Sequence, residues 1–274
     1  MSRFAGRAAV VTGASRGIGA AIAERLVAEG ADVVITARTL DRHGHLAGSL
    51  NETLDRCRRY GTRVEAVVAD LADPLSRSAI LPAACQLLGR SPDVLVNNAA
   101  AAIYASVLDY PSRRAHLMFE VNVHAPMDLA QAAVPAMVER GEGWIVNVSS
   151  ATARPATGPP FRTTGVASRI GVYGATKTAL NRLSNAFAVE LQDTGVRVTT
   201  VEPRAAVMSE GADALVGGTL STDQIEPMET MVEAAAALCA CPMELTGQSF
   251  VSLDLIDRLG LTVMALDGRS PYRD

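Results

Sequence analysis

Seven short apolar runs recur along the chain with amphipathic stretches between them, and this alternation limits the fold more than any other feature. The runs are AAVVT (8–12), DVVIT (32–36), VEAVVAD (64–70), DVLVNNA (93–99), GWIVNVS (143–149), VRVTTVE (196–202) and QSFVSL (248–253). Each is rich in Val and Ile and bounded by Gly, Asp or Pro, the pattern of a buried strand. Between them apolar residues return at helical spacing, as with Ile18, Ile22 and Leu26, or Leu180, Leu183, Phe187 and Leu191. Strands alternating with helices predict βαβ units: a doubly wound α/β fold with a seven-stranded parallel sheet and helices on both faces. Such a sheet binds ligands beyond the carboxyl ends of its strands, so functional residues are expected just after strands.

Composition removes several other classes. The formal net charge is −4 and no basic tract interleaves with aromatics, which argues against nucleic acid as a partner. No run approaches the roughly 18 apolar residues of a membrane span. No apolar stretch follows MSRFAGR, so neither a signal peptide nor a membrane partner is expected, and a cytoplasmic setting is. Cys57, Cys85, Cys239 and Cys241 form no CxxC pair and have no His at ligand spacing. They are expected to be filler in a reducing compartment, and no metal site is expected.

The first strand runs into TGASRGIG (12–19) and then into a helical stretch. Gly13, Gly17 and Gly19 permit a tight turn and close backbone approach. The helix that follows offers unpaired N–H groups and the positive end of its dipole to a pyrophosphate. A glycine cluster alone could be a plain βα turn; after a first strand and before a helix it predicts a Rossmann-type dinucleotide site. With no repeat or linker in view, residues 1–274 are expected to form one dinucleotide-binding and catalytic domain. The second strand ends VVITAR, with Ala37 where an acid would hold the 2′-hydroxyl of NAD and Arg38 beside it. Arg16 adds a second cation. Two arginines without a carboxylate favour NADP(H) over NAD(H), unless both are ordinary surface residues of an arginine-rich chain. Asp70, after the third strand, is placed either to contact the adenine end or to cap a helix.

Only one lysine stands among the 25 basic residues, Lys177 in VYGATKTAL (172–180). Either it is a leftover on a solvated helix face, or its position needs a compact ammonium that a guanidinium fork cannot replace. Tyr173 lies four residues before it, on the same face of an expected helix.

TGASRGIG, NNAA (97–100), Asn122, the pair Ser149 and Ser150, and YGATK (173–177) follow one another in order through most of the chain. Each is modest alone; the ordered set resembles the short-chain dehydrogenase/reductase family. The chemistry suits such residues. Hydride transfer between a nicotinamide and a carbonyl needs a proton for the developing alkoxide. A phenol with a pKa of about 10 must drop by roughly three units to serve near pH 7, about 4 kcal/mol. A neighbouring ammonium and an oxidised nicotinamide both favour the phenolate. The resemblance therefore implies Tyr173 as acid/base, with Lys177 lowering its pKa and holding the nicotinamide ribose. It implies Ser150, rather than Ser149, as the group that polarises the substrate oxygen, and strand alternation points only one of the two at the site. Asn122 precedes Pro126 by four residues, so its carbonyl loses a helical partner and the helix should bend. In the family that carbonyl holds a water for a proton relay; the plain alternative is a mere kink. NNAA, with Ala100 in place of the usual glycine, is expected to steady the central strand. The implied cofactor contacts are Gly13, Ser15, Arg16, Gly17, Ile18, Gly19, Arg38, Asp70, Leu71, Asn98, Tyr173, Lys177 and Val207.

Three stretches depart from the family. The link 151–172 is long and carries Pro155, Pro159 and Pro160. It is expected to shape the substrate pocket, with Phe161 and with Arg154, Arg162 and Arg169 either meeting an acidic group or solvated. After the sixth strand Arg204 replaces a glycine, which puts the placement of Val207 and Ser209 in doubt. Residues 205–232 are expected to form a mobile substrate-side loop and helix, with Gly211, Gly217 and Gly218 as hinges. The connection 37–57 is also long, and its His43 and His45 lack partners for a metal.

These features predict an NADP(H)-dependent oxidoreductase interconverting a secondary alcohol and a ketone, and the resemblance implies self-association as a homodimer or homotetramer. The rivals are a 3-oxoacyl-thioester reductase and a non-catalytic NADP(H) sensor.

Overall fold

The computed structural model describes residues 2–42, 46–162, 165–204, 206–216 and 225–273. Its strands are β1 (Ala8–Thr12), β2 (Asp32–Ala37), β3 (Val64–Val68), β4 (Val94–Asn97), β5 (Gly143–Val148), β6 (Val196–Glu202), β7 (Ala206–Val207), β8 (Ile225–Glu226) and β9 (Ser249–Val251). Seven of them form one parallel sheet in the order β3-β2-β1-β4-β5-β6-β9. These seven are the seven apolar runs of the sequence. The chain lays β2 and β3 to one side of β1, then crosses over to place β4 on the other side. Strand order therefore reverses between β1 and β4, and the crevice at such a reversal is where a doubly wound sheet takes its ligand.

The helices are α1 (Gly17–Ala28), α2 (Leu50–Arg58), α3 (Pro74–Ser78), α4 (Ile80–Leu88), α5 (Ser112–Phe119), α6 (Ala125–Arg140), α7 (Gly171–Glu190), α8 (Glu210–Val216), α9 (Met228–Leu238) and α10 (Ser252–Leu259). Strand alternation divides the core in two. Ala9 and Val11 of β1 pack with Ile22 and Leu26 of α1, Leu54 of α2 and Met231 of α9. Ala8 and Val10 pack on the opposite face with Ile80 of α4, Leu129 of α6 and Ala188 of α7. Each fully buried Val, Ile or Leu contributes about 1.5–3 kcal/mol, so both faces of the sheet are well covered. Among the described residues no helix is long and apolar enough to cross a membrane.

The bend expected near Asn122 is present as a π-helical turn, Glu120–His124, between α5 and α6. Ala125 donates its N–H to Glu120 five residues back, and Pro126 has none to give, so the regular ladder is interrupted there.

Other expectations need correction. The parallel pair β7–β8 was not foreseen, because two-residue strands leave no periodicity to detect. The span 205–232 is not wholly a substrate-side element: from Met228 onward it is α9, whose Met231, Val232 and Ala234 are fully buried. Gly211 sits in the first turn of α8 rather than at a hinge between elements, and Gly217 and Gly218 lie outside the described residues. His43 and His45 also lie outside them; among the described residues no cluster of His, Cys, Asp or Glu is suited to a metal.

Candidate active site

The glycine turn is fixed by the strand beside it. Gly13 and Gly17 have φ of +66° and +55°, the left-handed region that side chains avoid. A Cβ on Gly13 would lie 2.7 Å from Ala99 Cα, and one on Gly17 would lie 2.8 Å from Ser209 Cβ. The turn thus accepts close approach from the end of β4 and from the segment after β7. Asn98 staples it: Nδ2 donates to Thr12 O at 2.9 Å and Gly13 O at 3.2 Å, and its N–H donates to Thr12 Oγ1 at 3.0 Å. The α1 N-cap, Arg16, makes no side-chain capping bond, and no acid stands in the first turn. By contrast Ser49 caps α2 and Asp73 caps α3. The first N–H groups of α1 are left for an anion to accept. A phosphate-bearing ligand fits this glycine cradle, which any Cβ would fill.

A cleft of about 1550 Å³ runs from this turn across the carboxyl ends of β1, β4 and β5. Single-ligand pockets are roughly 300–1,000 Å³, so this one has room for a dinucleotide with a second molecule beside it. Gly13, Ser15, Arg16, Gly17, Ile18, Arg38, Asp70, Leu71, Asn98 and Val207 border it, and so do Ser150, Tyr173 and Lys177. Gly19 and Asn122 do not; they lie beneath its wall. Arg38 is exposed and, among the described residues, makes no hydrogen bond or ion pair. Asp70 is not the cap of α3: its Oδ1 accepts the N–H of Ala72 at 3.0 Å in a local turn.

At the other end of the cleft, Tyr173 and Lys177 share one face of α7. The Lys177 side chain is 2% exposed, and Nζ donates to Val148 O, at the end of β5, at 2.7 Å. Burial lowers its pKa from 10.5 to about 8. Tyr173 is also buried, which raises its hydroxyl above the ordinary tyrosine value; Tyr104 adds to the rise, and a hydrogen bond with Ser150 opposes it. Lys177 Nζ lies 5.9 Å from the Tyr173 ring centroid. Burial by itself thus favours the protonated phenol.

Ser150 stands two residues beyond β5 and caps a short 3₁₀ turn, its Oγ accepting from Thr152 N at 3.2 Å and Thr152 Oγ1 at 3.0 Å. Ser149 borders the cleft too, with a buried Oγ that has no partner, so alternation does not turn it wholly away. Asn122, 1% exposed, pairs its side chain with both backbone groups of Ala101, at 2.8 and 2.9 Å, and donates to Thr176 Oγ1 at 3.0 Å. It ties the segment after β4 to the helix that carries Lys177. Ala100 has no positive φ and so sits without strain.

The long link borders the cleft as expected, but not through Phe161. Phe161 is 65% exposed, rests against Gly158 and does not border the cleft. Arg154 pairs with buried Glu202 at 3.1 Å, and Arg169 accepts Ala105 N–H with its carbonyl; only Arg162 reaches the rim. Val166, Ala167 and Ile170 of the link border the cleft. Tyr104, missed in the sequence, stacks at 5.7 Å on Tyr173 with a 58° tilt; its one signal was an aromatic seven residues past the first Asn of NNAA in a chain with few of them. The Arg204 turn is firmly held: its N–H donates to Glu226 Oε2 at 2.8 Å and its guanidinium to Asp254 at 2.7 Å. Val207 is therefore buried at the cleft in spite of the missing glycine.

A parallel sheet that reverses at a glycine turn, with a Tyr–Lys pair farther along the same crevice, defines a dinucleotide-binding α/β protein. Residues 7–214 match the family described as short chain dehydrogenase. The chain belongs to the short-chain dehydrogenase/reductase family of oxidoreductases. An uncharacterized oxidoreductase from Staphylococcus epidermidis is 31% identical over 215 residues, which is 78% of this chain and 84% of that protein. A short chain dehydrogenase from Mycobacterium thermoresistibile superposes with a TM-score of 0.81 at 26% identity, covering 94% of this chain and 89% of the other. A 3-oxoacyl (acyl-carrier-protein) reductase from Agrobacterium tumefaciens, solved with NADP bound, gives 0.74 at 28% identity over 90% and 93%.

Proposed function

We propose that the protein is an NADP(H)-dependent oxidoreductase that interconverts a secondary alcohol and a ketone. The observation that carries this reading is the meeting of Ser150, Tyr173 and Lys177 with the glycine turn in one cleft. The bound dinucleotide supplies hydride for the carbonyl carbon. Ser150 Oγ orients the substrate oxygen and stabilises charge on it. Tyr173 hands its phenolic proton to that oxygen during reduction and takes it back during oxidation. Burial, with Tyr104 beside it, favours the protonated phenol, so phenolate character depends on positive charge from Lys177 and from an oxidised nicotinamide. Lys177, fixed by Val148 O, holds the ribose and contributes its ammonium. Asn122 spends its side chain on Ala101 and Thr176, which leaves its backbone carbonyl beside the Pro126 break as the group to hold a relay water. Support for NADP(H) comes from Arg16 and Arg38 on the cleft, with Ala37 where an acid would select NAD.

The test is NADPH oxidation with a panel of ketones, alongside direct binding of NADPH. Turnover is expected. Tight binding with no turnover across the panel would instead identify a sensor. A second reading, reduction of a 3-oxoacyl thioester, is favoured by the Agrobacterium relative and by Arg162 at the rim, where a phosphate-bearing carrier would pass. Assembly as a dimer or tetramer, suggested by family likeness, is read out by light scattering.

A further inference from the structure

We propose that Gly48, in the long connection between β2 and α2, sets the cofactor choice by bracing the Arg16 guanidinium against the phosphate side of the cleft. The inference rests on the NADP(H) reading above. Gly48 has φ of +92°, and a Cβ there would lie 2.7 Å from Arg16 Cβ and 2.7 Å from Ser15 O. It is packed directly on the back of the glycine turn. Its carbonyl accepts Arg16 Nη2 at 3.1 Å. Arg16 Nε is buried without a partner, and Arg16 borders the cleft.

The carbonyl is itself held in place. Ser49, the next residue, caps α2 through Glu52 N–H at 3.1 Å. Asn51 donates its N–H to Leu40 O at 3.1 Å and its side chain to Asp41 Oδ1 at 2.9 Å, tying the end of the connection to its start. Leu46 carries the same segment onto the cleft wall.

A guanidinium is planar, and one hydrogen bond at its edge fixes the directions of its other donors. Holding Arg16 in this way removes rotamer freedom that a phosphate would otherwise have to remove on binding. The advantage belongs to a ligand with an anionic group at the adenosine ribose and not to one with a hydroxyl there. Gly48 is thus a positioning residue acting through Arg16.

The experiment measures dissociation constants of NADPH, NADH, adenosine 2′,5′-bisphosphate and AMP for wild type, Gly48→Ala, Arg16→Ala and the double variant. Gly48→Ala is expected to weaken NADPH and the bisphosphate by about three- to tenfold, with NADH and AMP little changed. In the Arg16→Ala background the Gly48 substitution is expected to add nothing. If Arg16→Ala weakens NADPH while Gly48→Ala does not, or if both effects simply add, the bracing role is overturned. If wild type binds NADH and AMP as tightly as their phosphorylated counterparts, the NADP(H) reading itself fails. Should Gly48→Ala not fold, Gly48→Asn tolerates positive φ better while keeping the intruding Cβ, and the same outcomes apply.

Discussion

Lys177 costs the fold stability in order to stand where it does. Its ammonium is buried against a carbonyl with no carboxylate paired to it among the described residues, and burial brings its pKa from 10.5 to about 8. Below pH 8 it is charged in both folded and unfolded chains, and the folded state bears the whole desolvation cost. Between pH 8 and 10.5 the folded form sheds the proton while the unfolded form keeps it, so stability rises with pH across that window. A shift of this size corresponds to about 3 kcal/mol at neutral pH. Lys177→Met gives up the bond to Val148 O, about 1 kcal/mol, and is expected to be more stable than wild type by about 2 kcal/mol at pH 7. Thermal melts should show that gain shrinking toward pH 10, while turnover is lost. Tyr173 works in the opposite sense. In the protein alone its phenol should titrate above the ordinary value, and added NADP⁺ should lower it. The absorbance difference between wild type and Tyr173→Phe near 295 nm follows that titration directly. The same variant should keep NADPH binding and lose turnover by about 10²–10⁴-fold; near wild-type turnover would remove Tyr173 as proton donor.

Elements differ in how plainly they are written in the chain. The central strands of the main sheet are legible because each is a short run rich in Val and Ile, too short for a helix and buried on both faces; the edge strands β3 and β9 are only partly buried and are marked by their apolar residues and the turns around them. The glycine turn and the Tyr173–Lys177 pair are legible because chemistry ties them to fixed spacings. What faces the substrate is not, since it depends on how irregular segments fold back: Phe161 points away and Tyr104 points in. The π-helical turn stands between these cases. Pro126 announces an interruption, but nothing local says that Arg77 of α3 holds it. Arg77 is buried, with Nε on Asp128 at 2.6 Å, and Nη1 on Glu120 at 2.7 Å and on Leu71 O at 3.1 Å. One side chain thus joins the cofactor side of the cleft at Leu71 to the turn that carries Asn122. Arg77→Met should cost about 2 kcal/mol, below the usual 3–5 for a broken buried pair because both acids are partly solvated. Amide exchange should quicken over 120–125 while β4 and β5 stay protected.

At the scale of the whole molecule, strand order does the assembling. Crossing from β3 to β4 brings the first turn of the chain beside NNAA, and β5 and α7 then add Ser150, Tyr173 and Lys177 to the same crevice. The opposite surface is closed by the last residues of the chain, which return to α1 and α9. There Arg25, 0% exposed, binds Glu29 at 3.0 Å, Glu233, and the carbonyl of Ala265 at 3.0 Å. Arg3 binds Glu29 at 2.6 Å and Glu233 at 3.3 Å, and Met264 N–H donates to Glu233. Two cations and two anions balance, so removing one leaves an uncompensated buried charge. Arg25→Met is expected to cost about 3–5 kcal/mol and to expose residues 260–273 to proteolysis. Adding Glu233→Leu restores neutrality with Arg3 and Glu29 still paired, and a buried pair replaced by apolar groups is often near neutral in stability. The double variant should therefore melt well above Arg25→Met alone. Equal melting of the two would mean that Arg25 acts through its bonds to the tail carbonyls and not through charge balance.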